Sequence, residues 1–405
     1  MDPVIGAAAR ALASGDALGA LKRVALRDDP HARALRGIAM AQLGDLARAR
    51  DLLRDAARGF GPGSPLTVAR CNLAIAEILL VLRDLGGLTE LLQETGSILE
   101  THGDRSNLAH ATYLQARLAL LLGRLDQAED LLSSIDPAMV PGVSRPGYWL
   151  VAMGIAMRRV EAGAAGIALS QAVHAARLAP VPSVLAEVET ARQALRAPAA
   201  RLIIEGTERS LGLAEVEKVL ASDRLVVDAC RNLLRQGPHI MDLSGRPILF
   251  GLVRALAEAW PNDVPREHLL QRVFRARQAD DSHRARLRVE IARLRKLLAP
   301  LAGVAATRRG YTLKPQKSVP AVLAPPVEGR HADILALLAD GESWSSSGLA
   351  LALDVSPRTV QRMLDALSRS GKVEWFGHGR SRRWTFAGVP GFPTGLLLPV
   401  SAPRE

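Results

Sequence analysis

Residues 280–298 read DDSHRARLRVEIARLRKLL and carry the clearest structural signal in the chain. Their apolar positions recur at helical spacing and form one stripe, made of Leu287, Ile291, Leu294 and Leu298. The opposite face and its flanks carry Arg284, Arg286, Arg288, Val289, Arg293, Arg295 and Lys296. Asp280 and Asp281 precede the stripe, where carboxylates interact favourably with a helix dipole. The stretch predicts a basic amphipathic helix over 281–298.

A short basic hairpin is predicted directly after this helix. Val304–Thr307 and Tyr311–Leu313 are strand-like, and Arg308-Arg309-Gly310 forms the turn between them. Residues 282–314 contain nine Lys or Arg and one acid, a net charge of +8. A basic helix can enter the major groove of DNA while a basic hairpin reaches the backbone, so Thr307, Arg308 and Arg309 join the candidate DNA contacts. The alternative to DNA binding is that the helix packs on its own protein and its charged face is simply exposed to solvent.

Residues 224–315 resemble the OmpR/PhoB-type winged-helix DNA-binding domain. The resemblance rests on Val289, Ile291, the run Arg293–Leu297, and Thr307 with Arg309-Gly310-Tyr311. It implies that 281–298 is the recognition helix, that 307–311 is the wing, and that the loop 275–280 contacts RNA polymerase. The wing is shorter than is usual in the family. No receiver domain precedes it, so control by phosphorylation of the two-component kind is not expected.

The residues ahead of the recognition helix complete this domain, which is predicted over 201–315. Strands are expected at 201–204, 224–227 and 240–243, and helices at 246–260 and 264–274. The next segment, 316–329, follows Pro315 and contains three more prolines, Pro320, Pro325 and Pro326, among small residues, so it predicts an extended linker.

A second helix–turn–helix with a wing is predicted over 330–388. Ser356 suits an N-cap and Pro357 the first helical position of a reading helix. The segment resembles the DeoR-like winged helix, which implies DNA contacts from Ser356, Arg358, Thr359, Gln361, Arg362, Arg380, Arg382 and Arg383. The alternative is a winged helix used for protein contact or dimerisation. Four aromatic residues, Trp344, Trp375, Phe376 and Trp384, are expected in its core, and the tail 389–405 is expected to be disordered.

Residues 1–198 predict pairs of helices that repeat along the chain. Glycines mark the turns within the pairs at 15, 44, 123 and 163, with a weaker copy at 86–87, and alanines follow at close-packing positions. This resembles the tetratricopeptide repeat, although most of its large aromatic positions are missing; a generic helical bundle is the alternative. The repeats offer a groove for a peptide or protein partner. Joined to a winged helix they look like the SARP-type bacterial activators, with the order of the domains reversed.

Composition narrows the function further. Residues 1–200 hold 21 Lys/Arg against 20 Asp/Glu, and residues 201–405 hold 31 against 21, so the basic excess lies in the second half and points to a polyanion. Cys71 and Cys230 both lie in apolar stretches and are expected to be core residues. No P-loop, metal-ligand cluster or nucleophile motif is present, so we expect no catalytic residues, no metal and no cofactor. No membrane span or signal peptide is evident, which favours a cytoplasmic protein.

The sequence therefore predicts a mainly α protein, with a tetratricopeptide-like helical repeat solenoid followed by two α+β winged-helix domains. Its expected function is that of a sequence-specific bacterial transcription regulator, an activator, that binds double-stranded DNA and is not an enzyme. RNA polymerase, a peptide or protein in the repeat groove, and a second copy of the chain are further candidate partners. The alternative function is an interaction scaffold that does not read DNA.

Overall fold

The computed structural model of the chain is mainly helical. It describes residues 2–178, 181–274, 281–326, 331–338, 343–353, 355–377, 379 and 382–386. The chain divides into two compact units. Unit 1 is drawn from residues 1–159, 163–194 and 330–405, and unit 2 from residues 160–162 and 195–329.

Unit 1 begins with an array of helices. Their bounds are α1 Pro3–Ala13, α2 Ala17–Val24, α3 Pro30–Gln42, α4 Leu46–Phe60, α5 Pro65–Val81, α6 Leu88–Thr101, α7 Arg105–Leu121, α8 Leu125–Ser133, α9 Arg145–Arg159, α10 Ala162–Leu178 and α11 Pro182–Arg196. From α1 to α9 each helix packs on the next, and α1, α3, α5, α7 and α9 also pack on one another in that order. Small side chains such as Ala39, Ala49 and Ala76 are fully buried at these contacts, which lets the helices approach closely.

Short turns with one backbone pattern end five of these helices. In each, a residue with positive φ follows the last turn of the helix, and it is Gly15, Gly44, Gly103 or Gly123 in four of them. Glycine is favoured there because the left-handed region costs it no steric strain. At the end of α5 the position is held by Arg83, with φ of 52°. The expected turn glycine Gly163 instead lies inside α10, where its alanine-rich neighbours maintain the helix.

The C-terminal elements of the chain belong to unit 1 as well. They are α16 Ala332–Leu338, α17 Ser346–Ala352, α18 Pro357–Arg369, β10 Val373–Phe376 and β11 Arg383–Phe386, hereafter the C-terminal module. Its buried side chains, including Trp344 and Trp384, share one continuous core with the array. The sequence expectation of a core role was wrong for Trp375 and Phe376, which are 45% and 54% exposed on the β10–β11 hairpin.

Unit 2 is built on a mixed six-stranded sheet and a smaller three-stranded sheet. The strands are β1 Ala200–Ile204, β2 Thr207–Leu211, β3 Val226–Asp228, β4 Leu233–Gln236, β5 His239–Asp242, β6 Val264–Pro265, β7 Ala302–Ala306, β8 Gly310–Pro315 and β9 Ala321–Ala324. The helices are α12 Leu213–Leu220, α13 Pro247–Ala259, α14 Arg266–Phe274 and α15 Asp281–Leu298. The larger sheet has the order β2-β1-β9-β3-β4-β5, and the smaller one has the order β6-β8-β7.

The segment predicted as a linker, 316–329, contains a strand at the centre of the larger sheet. Strand β9 is buried at all four positions and pairs antiparallel with β1 and parallel with β3. The linker prediction was wrong here because Ala321–Ala324 is a short apolar run whose flanking prolines, Pro320 and Pro325, lie outside the strand and remove none of its hydrogen bonds. The first and last strands of unit 2, β1 and β9, are therefore neighbours.

The two cysteines of the chain differ in their exposure to solvent. Cys71 is buried, but Cys230 is exposed, in the turn between β3 and β4, so its expected core role was wrong.

None of the helices in the described ranges is both long and apolar enough to cross a bilayer. The tail 389–405 and the loop 275–280 lie outside the described residues.

Candidate nucleic-acid interface

Helix α15 presents a mixed apolar and basic face to solvent. It buries Leu287, Ile291, Leu294 and Leu298 in the core of unit 2, which confirms the predicted stripe. With 3.6 residues per turn, Ala285, Val289, Ala292 and Lys296 fall in a narrow sector opposite that stripe. All four are exposed, and Val289 is 51% exposed despite its apolar side chain. We call these four residues the outer stripe of α15.

Arginines border the outer stripe on both sides. Arg286 and Arg293 lie along one flank, and Arg284, Arg288 and Arg295 along the other. The helix thus carries a strip of small and apolar side chains between two rows of permanent positive charge.

Most of these arginines are held by neighbouring groups while they stay exposed. The Arg286 guanidinium lies 5.3 Å from the centre of the Phe274 ring, and Arg293 donates to the buried Glu290 carboxylate at 2.8 Å. Arg295 Nε donates to the Val304 carbonyl of β7 at 2.8 Å. Arg284 and Asp281 form a more exposed ion pair at 3.4 Å. Such contacts restrict the side chains before any ligand binds, and the net charge of the face stays strongly positive.

The turn between β7 and β8 adds two more exposed arginines, Arg308 and Arg309. Thr307 was predicted to contact DNA, but its hydroxyl is engaged inside the protein. It donates to Asp263 Oδ2 at 2.6 Å and accepts the Gly310 N–H at 2.9 Å. Strands β7 and β8 pair antiparallel, so the predicted hairpin is present.

A groove of about 670 Å³ runs beside the Arg293 flank of α15. It lies between α15 and the start of α13, and its basic lining residues are Arg246, Arg293 and Lys296. Glu290 also lines it, with its carboxylate already bound by Arg293. The sequence reasoning missed Arg246 because an isolated arginine before a proline carries no pattern.

No protein-family model, curated protein or solved structure matches the chain. Its function is therefore inferred from its own residues.

The second set of predicted contact residues lies on the C-terminal module, in the other unit. Ser356 caps α18 by accepting the Thr359 N–H at 3.2 Å, as its sequence position predicts. Arg358 and Arg362 on the first turns are exposed, whereas Gln361 donates to Asp365 at 2.8 Å. We expect Arg358 and Arg362 to be the accessible cations of this helix.

Two arginines of the β10–β11 hairpin, Arg382 and Arg383, interact with neighbouring groups of the protein, which leaves them less available to bind DNA. The Arg382 guanidinium stacks 4.4 Å from the centre of the Trp375 ring. Arg383 is mostly buried and approaches Asp84 of the array at 4.0 Å, so its charge is directed toward the array. Arg380 lies outside the described residues.

The described residues also bear on two other kinds of site, a metal-ligand group and a reactive thiol. They contain no group of three His, Cys, Asp or Glu side chains that could hold a metal ion. Burial raises the pKa of the Cys71 thiol to about 12, which leaves it protonated and unreactive at neutral pH. In the array, a groove of about 470 Å³ lies between α4 and α5, lined by two aspartates and two arginines among other residues.

Proposed function

We propose that the chain is a sequence-specific DNA-binding transcription regulator whose main reading element is α15. In this proposal unit 2 is a winged helix, with α15 in the major groove and the β7–β8 turn as its wing. The array is a tetratricopeptide-like repeat that senses or binds a partner. RNA polymerase and a peptide or protein in the array are further candidate partners. The loop 275–280, which would contact the polymerase, lies outside the described residues.

The outer stripe of α15 is the observation that carries the proposal. Packing on its own protein through one face does not account for the two rows of arginines that flank the exposed Ala285, Val289 and Ala292. DNA does fit this surface, since phosphates line both edges of the major groove and thymine methyl groups lie on its floor. The arginine rows match the phosphates, and Ala285, Val289 and Ala292 match the methyl groups.

The charge of the surrounding surface supports the same partner. Arg246 lies across a groove from Arg293 and Lys296, and Arg308 and Arg309 on the β7–β8 turn are two further exposed cations of unit 2. Several arginines in contact with phosphates give a strong affinity that depends on salt and does not depend on the DNA sequence. Sequence preference then comes from the side chains that reach base edges, for which Arg293 and Val289 are the candidates.

A scaffold function is favoured by one observation, and it concerns the C-terminal module. This module resembles a second DNA reader, yet it is docked on the array through Ser345, whose hydroxyl donates to the Arg83 carbonyl at 3.1 Å. Such a module acts in assembly within the chain, and α18 then contributes affinity for DNA without being essential to it.

The proposal is tested by selection from a random-sequence duplex pool with the full chain at several salt concentrations. We expect an enriched motif and an affinity that falls steeply with salt. Steep salt dependence without enrichment would reduce the function to non-specific binding. Absence of binding at moderate salt would favour the scaffold.

A further inference from the structure

The turn that carries Arg308 and Arg309 is held by a set of contacts from the start of α14 and the residues before it. Thr307 Oγ1 donates to Asp263 Oδ2 at 2.6 Å and accepts the Gly310 N–H at 2.9 Å. The Thr307 N–H also donates to the Gly310 carbonyl at 2.9 Å, which closes the turn. One threonine hydroxyl therefore ties the two ends of the turn to each other and to Asp263.

Arg266 holds the same turn from its other side. Its guanidinium donates to the Arg308 carbonyl at 3.1 Å and to the Thr307 carbonyl at 3.2 Å, and its backbone N–H donates to the Arg309 carbonyl at 3.2 Å. The guanidinium also lies 5.4 Å from the centre of the Tyr311 ring on β8. Three consecutive carbonyls of the turn are thus bound by a single residue.

The two arginines on the turn differ from Arg266 in where their charge lies. Arg308 and Arg309 are exposed, whereas Arg266 is half-buried and uses its guanidinium on backbone carbonyls. An arginine engaged in this way has its donors occupied inside the protein, so it is poorly placed to bind a phosphate.

We infer that Asp263, Arg266 and Thr307 are positioning residues that hold the wing turn in its DNA-binding conformation, so that Arg308 and Arg309 meet phosphates without prior ordering. This inference rests on the proposed function. Its physical basis is conformational entropy: fixing one residue's backbone costs roughly 1–2 kcal/mol, about a factor of ten in an equilibrium constant. A turn already fixed in the free protein has borne that cost before DNA arrives.

The test compares variants of the full chain in binding a fluorescein-labelled mixed-sequence DNA duplex over a series of potassium chloride concentrations. Thr307→Val keeps the shape of the side chain and removes the hydroxyl, and Thr307→Ser is the matched control that keeps it. We expect Thr307→Val to bind roughly tenfold more weakly. The slope of log affinity against log salt should stay that of the parent protein, because the ordered turn still brings both arginines to their phosphates in the complex. Thr307→Ser should match the parent protein in both.

A double-variant cycle separates positioning from a general loss of structure. In the Arg308→Ala/Arg309→Ala background, the arginines that the turn presents are gone, so Thr307→Val should have no further effect on affinity or slope. A further loss in that background would mean that Thr307 supports the whole domain, and would overturn the inference. Unchanged binding by Thr307→Val, with weaker binding by Arg308→Ala/Arg309→Ala, would overturn it too.

The proposed function fails in a different way. If the parent protein itself shows no salt-dependent binding to the duplex, DNA is not the partner and the positioning role falls with it. If the parent binds and only the Thr307 comparison fails, the DNA-binding function stands without this positioning role.

Discussion

Val289 is the side chain whose surroundings say most about what α15 contacts. It is half exposed at the centre of the outer stripe, where an apolar group gains nothing from water. Against DNA, its methyl groups can pack on the 5-methyl group of thymine, which is the apolar feature of the major groove. The outer stripe therefore predicts that thymine methyl groups contribute to the preferred site.

Replacing thymine by deoxyuridine in a selected DNA site removes these methyl groups and keeps every hydrogen bond of the base pair. We expect affinity to fall about fourfold for each methyl that Val289 buries, since one buried carbon group is worth about 0.8 kcal/mol. The Val289→Ala variant should be much less sensitive to the replacement. Equal sensitivity of the parent and Val289→Ala, measured by fluorescence anisotropy, would show that Val289 does not read the groove.

The sequence predicts α15 and its buried face well, but it does not predict the roles of some other residues. The apolar stripe from Leu287 to Leu298 repeats three times at helical spacing, so both the helix and its buried face could be predicted. The role of Thr307 could not, because its partner Asp263 is distant in sequence and nothing local marks the pair. Trp375 was likewise assigned to the core from residue type alone, although it lies exposed beneath Arg382.

At the scale of elements, the turn after α5 shows how the C-terminal module is held on the array. Four equivalent turns carry glycine, and this one carries Arg83 at positive φ, a conformation that costs a non-glycine residue roughly 1–2 kcal/mol. The Arg83 guanidinium lies 5.5 Å from the centre of the Trp344 ring. A Cβ on Gly348 would lie only 2.6 Å from the Arg83 carbonyl oxygen, so α17 approaches the turn closely. Contacts with the module offset the strain of the turn.

Arg83→Gly should therefore act with opposite signs on two neighbouring elements. The turn itself should relax, while the module loses a cation–π contact worth about 0.5–2 kcal/mol. We expect faster hydrogen–deuterium exchange in residues 344–352 and no faster exchange in α5. Gly44→Ala is the matched control, because it strains an equivalent turn where an added Cβ meets nothing within 4 Å among the described residues, and it should leave exchange in 344–352 unchanged. Unchanged exchange with Arg83→Gly would mean that Arg83 does not hold the module.

Strand β9 marks the limit of element prediction from this sequence. Its four residues are too few to show a period, and the four prolines around it resemble a linker. Its partners β1 and β3 come from the other end of unit 2, so only the folded chain brings them together.

At the scale of the whole molecule, unit 2 is a nearly continuous segment whose first and last strands pair with each other. A fragment that ends at residue 315, after the β7–β8 hairpin, lacks the strand between β1 and β3. Removing it separates the β1–β2 pair from β3–β5 and exposes the apolar residues of both sides to water. The boundary predicted from the sequence, 201–315, therefore omits part of the domain's core.

Fragments 195–329 and 195–315 test this directly. We expect the longer one to unfold cooperatively in urea, and the shorter one to lose that transition or to unfold at much lower urea, as followed by circular dichroism. In a version of the longer fragment, Val322→Asp places an unpaired charge in the same buried strand and should reproduce the loss. Equal urea midpoints for the two fragments would show that β9 is dispensable.

The most direct test of the account is to repeat the selection from the random duplex pool with Arg293→Ala, Arg309→Ala and Arg58→Ala beside the parent chain. Arg58 is an exposed arginine of the array and serves as the control. With α15 as the reading helix, Arg293→Ala should change or weaken the enriched motif, at a cost of about 1–3 kcal/mol on the parental site. Arg309→Ala should weaken binding to all sequences alike and lower the salt slope by about one, and Arg58→Ala should do neither. The same motif at the same affinity from Arg293→Ala and the parent would contradict the assignment of α15 as the reading helix.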